Sequence, residues 1–77
     1  MKCFQEVFCD MYIEKMMQKH ADNSAWATEE QTIENLGGMN AIEELYYLWS
    51  SVSNAGQKRC LGFDYEDVKQ RLALVNA

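Results

Sequence analysis

Apolar positions along the chain recur at helical spacing in four places. In the first, Lys2 to His20, two rows run side by side: Phe4, Val7, Phe8 and Met11, then Cys9, Tyr12, Ile13 and Met16, with Met17 beside the latter. Residues three and four apart lie on one face of a helix, so both rows predict a helix and together give it two apolar faces. One face packs on the rest of the domain. The other is either buried as well, which makes this the central helix, or is a surface for a partner or a second copy, and then Cys9, Ile13, Met16 and Met17 carry it.

The segment "HADNSAWA", His20 to Ala27, breaks the pattern with small and turn-forming residues, and its one large side chain, Trp26, is expected to plug the end of the core. Thr28 opens "TEEQ", a capping-box pattern in which the threonine hydroxyl takes the amide of Gln31 and the glutamine side chain reaches back. Glu29 and Glu30 then suit the positive end of the helix dipole. This short second helix turns Ile33 and Leu36 inward and stops at Gly37 and Gly38, which reach left-handed backbone angles without steric cost.

Asn40, three residues before Glu43, is expected to cap the third helix. Ile42, Leu45, Tyr46, Trp49 and Val52 form its single clean face, with Tyr47 pointing away. After "SSVSNAG" and the connection "QKRCLGF", Asp64 is expected to cap a last helix with Val68, Leu72 and Val75 inward and Tyr65 in support. The sum is an all-α, single-domain bundle of about four helices, roughly 2–20, 28–36, 40–54 and 64–76, with residues 1–77 as one domain.

Composition narrows the function. A chain of 77 residues, 48% hydrophobic and 25% charged, folds but buries a thin core, which disfavours a deep catalytic cleft. No apolar run approaches the 18 or so residues of a membrane span, and Glu6 and Asp10 interrupt the apolar stretch a secretion signal needs, so a cytoplasmic location is expected. Cys3, Cys9 and Cys60 are odd in number and none forms a C-x-x-C pair, and the lone His20 has no partner at metal-ligand spacing. Reduced thiols with no metal and no cofactor are the expectation.

The carboxylate pairs Glu29-Glu30 and Glu43-Glu44 sit on solvated helix turns, where neither member has reason to hold a proton, and the serines have no histidine at helical spacing. The chain is therefore not expected to be an enzyme.

Charge is distributed unevenly. The net charge is −5, and between Ala21 and Gln57 there is no Lys or Arg, while Asp22, Glu29, Glu30, Glu34, Glu43 and Glu44 fall in that span. Nucleic acid and anionic membranes repel such a stretch. A basic protein surface attracts it, and the commonest basic surfaces in a cell are those that grip nucleic acid. The expected function is a non-catalytic acidic module, an inhibitor or adaptor in the manner of the short acidic proteins that phages and mobile elements use against host nucleases, CRISPR effectors (anti-CRISPRs) or polymerases. Glu29, Glu30, Glu34, Glu43, Glu44 and Tyr47 are the candidate contact residues.

A different reading comes from "IENLGGMNAIEEL", which resembles the L-G-G-[DH]-S motif opening the second long helix of acidic four-helix carrier proteins, whose serine holds the phosphopantetheine arm. The resemblance covers about a dozen residues. Asn40 stands at the serine position and Met39 at the acidic or His position, so it implies a carrier-like scaffold subunit that accepts no arm. A self-associating structural protein, a homodimer through the second row of the first helix, is the remaining alternative.

Overall fold

The computed structural model describes residues 1–51 and 65–77. Among these the regular elements are all helical: α1, Phe4–Lys19; a 3-10 turn, Ser24–Trp26; α2, Glu29–Asn35; α3, Met39–Ser51; and α4, Tyr65–Val75. The expected continuation of the third helix to 54, the inward Val52, the Asp64 cap and the basic pair Lys58 and Arg59 fall outside the described residues.

The first helix is the centre of the fold, with α2, α3 and α4 all packed on it. Its placement explains the double row. Val7 and Phe8 from the first row and Cys9 and Ile13 from the second are each at most 3% exposed, and Ile42 and Trp49 of α3 and Val68 of α4 complete the core. Cys9 and Ile13 are thus core residues, which corrects the reading that would place them on a self-association surface. Met16 and Met17 are half-buried, with Met17 packed against the core. The physical reason is crowding: three helices surround α1, and no row long enough to be a surface seam stays outside.

Aromatic rings join the core layers. Phe8, fully buried, lies 5.0 Å from Trp49 and 5.5 Å from Tyr46, the latter edge-on, while Tyr65 stacks on both Trp49 (6.2 Å) and Phe4 (5.4 Å). Offset and edge-to-face pairs at these separations add to the area term. On α4 Val68 is buried and Leu72 packs against the core, while Tyr65, 40% exposed, reaches it through its ring contacts; Val75, expected inward, is 42% exposed. Asn76 is engaged instead: its side-chain oxygen accepts from the Lys2 backbone N–H, and its Nδ2 donates to the Lys2 carbonyl, both at 3.1 Å. That exposed polar clasp ties the end of α4 to the start of the chain.

The junctions follow local chemistry. Thr28 accepts from Gln31 N at 3.2 Å, and its hydroxyl donates to the Gln31 side-chain oxygen at 3.1 Å, so the glutamine reaches back to the hydroxyl and not to the backbone. Trp26 is half-buried and stacks on His20 (4.2 Å) at the end of α1, capping that helix without entering the core. The turn around it is pinned from α2: Thr32, fully buried, donates to the Trp26 carbonyl at 3.3 Å, and Asn35 Nδ2 donates to the Ala25 carbonyl at 2.8 Å.

At the other end of α2, Gly38 N donates to the Ile33 carbonyl and Gly37 N to that of Glu34, the paired bonds of a Schellman motif, with φ of +92° and +99° at the two glycines. The backbone re-enters the helix at Met39 and the Gly38 carbonyl accepts from Ile42 N at 3.4 Å. Asn40 therefore lies inside the first turn of α3, not at its cap, because the two-glycine turn leads straight into the helix.

Candidate functional site

The capped start of α2 fixes where its carboxylates stand. Glu29 and Glu30 occupy the first turn, and Glu34 follows Glu30 by four residues on the same side; all three are exposed. On α3 the two adjacent glutamates part company. Glu43 is half-buried and turned toward α1, while Glu44 is exposed on the outward face with Tyr47, which is 59% exposed and whose ring meets Tyr46 edge-on at 5.6 Å.

Two hollows border α1 on either side of one ion pair. The first, about 350 Å³, is lined by Glu43 and Met39 of α3 together with Cys3, Glu6, Cys9 and Asp10. The second, about 260 Å³, is lined by Glu29 with Ile13, Glu14, Met17 and Arg71. Lys2 and Asp10 line both. The Lys2 ammonium donates to Asp10, and that hydrogen bond, followed by the Asp10 charge, holds the lysine above its ordinary pKa. Arg71 Nη2 donates to both carboxylate oxygens of Glu14, at 3.0 and 3.1 Å.

Beside the expected contact residues α1 carries a further acidic strip outside the Ala21–Gln57 span: Glu6, Asp10 and Glu14, at intervals of four residues. The i, i+4 spacing was the signal that could have revealed it. The structure divides the expected residues. Glu29 and Glu43 face α1 in separate hollows, whereas Glu30, Glu34, Glu44 and Tyr47 face outward.

The thiol beside Glu43 has an altered acidity. Burial, then the charges of Glu43, Asp10 and Cys3, push Cys9 from 9.0 up to about 11. A thiol whose pKa is raised by folding binds its proton more tightly in the native state, so its contribution is complete below pH 9 and is lost as the pH rises through 11. We therefore expect urea midpoints to decline between pH 9 and 11, and the decline to be shallower in Cys9→Ala than in the parent. Equal slopes would remove Cys9 as its source. The Tyr46 hydroxyl is shifted up as well, first by burial, so part of the decline remains in the variant.

Among the described residues no group of three or more His, Cys, Asp or Glu side chains is arranged to hold a metal ion, and no helix is long and apolar enough to cross a membrane. Asn40, at the serine position of the carrier-like motif, is exposed in the first turn of α3. What the site offers is carboxylates on exposed helix turns, with aromatic and aliphatic side chains beside those of α3. Such an arrangement attracts and orients cationic groups. Compared with protein-family models, curated proteins and solved structures, the chain has no match.

Proposed function

We propose that this chain is a non-catalytic acidic binding module that docks on the basic, nucleic-acid-gripping surface of another protein as an inhibitor or adaptor, acting in the cytoplasm. Small phage-encoded antagonists of host nucleases or CRISPR effectors are the model for such a role. The observation that carries the reading is the span from Ala21 to Gln57, with six carboxylates and no Lys or Arg. Glu29, Glu30, Glu34 and Glu44 within it are solvent-exposed and ready to meet a partner. Complementary charge speeds encounter and sets orientation, and a surface built to hold phosphates is the cationic counterpart such a module fits.

The test is affinity capture from a host lysate. A nucleic-acid-binding protein should be recovered and should be released when salt is raised from about 0.1 M to 1 M, which shortens the Debye length from ~10 Å to ~3 Å. The triple variant Glu29→Lys, Glu30→Lys, Glu34→Lys should bind it at least about tenfold more weakly. A captured partner indifferent to both changes would overturn the proposal.

A further inference from the structure

Resting on that reading, we propose that the outward face of α3 is the docking strip itself, and that it takes a cationic segment carrying an apolar side chain next to its lysines or arginines. The strip is Glu44, Tyr47, Leu48 and Ser51, spaced at i, i+3, i+4 and i+7 and so aligned along one side of the helix. It lies opposite the buried pair Ile42 and Trp49. Tyr47 is 59% and Leu48 65% exposed, two adjacent large side chains left outside a thin core.

The local polar groups are already committed. Ser50 and Ser51 donate their hydroxyls back to the carbonyls of Tyr47 and Leu48, at 3.1 and 2.9 Å. These hydroxyls are turned to their own helix, so what the strip offers outward is an aromatic ring, a leucine and one carboxylate. An aromatic beside an aliphatic side chain is the composition of an interface anchor, and Glu44 sets the sign of the partner. No Lys or Arg occurs in the sequence from Ala21 to Gln57, so no base within that span competes for Glu44. Glu44 and the net charge of −5 disfavour an acidic partner, including a second copy of this chain.

The proposal is tested with two synthetic peptides of equal length and charge, an amphipathic Leu/Lys 14-mer and a Ser/Lys 14-mer, titrated into the ¹⁵N-labelled chain. The Leu/Lys peptide should shift the amides of residues 44–51 and bind about tenfold more tightly than its Ser/Lys counterpart, the gain expected from covering part of one leucine. Leu48→Ser, at an exposed position that leaves the core intact, should abolish that preference while the weaker, salt-sensitive binding of both peptides remains. Equal binding of the two peptides, an unchanged preference in Leu48→Ser, or shifts confined to other helices would overturn the strip and leave the acidic module standing. Absence of binding by either peptide would overturn both.

Discussion

Replacing Phe8 with alanine is expected to cost about 3–5 kcal/mol, the range seen when a buried aromatic side chain is deleted and its cavity only partly collapses. Phe8 is fully buried on the central helix and touches the rings of Tyr12, Tyr46 and Trp49, so its removal takes contacts from two helices at once. A domain of this size is stable by only ~4–12 kcal/mol at about 0.05–0.15 kcal/mol per residue, so the variant should lose at least about a quarter of its stability. Urea titration followed by far-ultraviolet circular dichroism measures it. A loss below about 1 kcal/mol would show that Phe8 is not at the centre of the core.

The second large effect is expected at the glycine pair. Both residues hold positive φ, where an L-side chain costs about 1–2 kcal/mol. Their surroundings differ: a Cβ at Gly37 would stand 3.2 Å from the Cβ of Ala41, tighter than ordinary contact, whereas one at Gly38 would meet nothing within 4 Å. Gly38→Ala should therefore lose the backbone term alone, and Gly37→Ala that term plus the strain of moving Ala41 on α3. Thermal midpoints of the two variants give the comparison. Equal losses would mean that the Ala41 contact yields freely, and no loss in either would contradict the left-handed turn. The glycines are thus accounted for by the chain reversal between α2 and α3.

Much of the architecture was legible from spacing. The Ile42 and Trp49 face of α3, with Leu45 and Tyr46 beside it, needed only the 3.6-residue period, and the Thr28 cap and the glycine stop needed only local backbone chemistry. The two rows of α1 were legible as helix but not as buried or exposed, because that depends on how many other helices surround them. Thr32 was missed for a related reason. Its hydroxyl is tolerated in the core only because the Trp26 carbonyl, six residues back, is folded over it.

The Lys2–Asn76 clasp likewise joins residues 74 positions apart, beyond any local pattern. As for the candidate site, the carboxylates of α2 and α3 could be read as a count but not as a layout. That Glu43 turns inward beside Cys9 while Glu44 turns out is set by a helix rotation that follows from burying Ile42 and Trp49.

The central position of α1 has a consequence for how the molecule comes apart. In a linear array of helices an end unit can detach while its neighbours stay folded, and local openings form a graded series. Here the described helices share one axle, and α2 in particular has a single turn and a half or so of its own hydrogen bonds to fall back on. A fluctuation that frees α1 leaves each of the others without its main apolar counterface. The domain is therefore built to lose its structure in one step, and the carboxylates and exposed rings that face outward keep their arrangement for as long as that single helix stays in place.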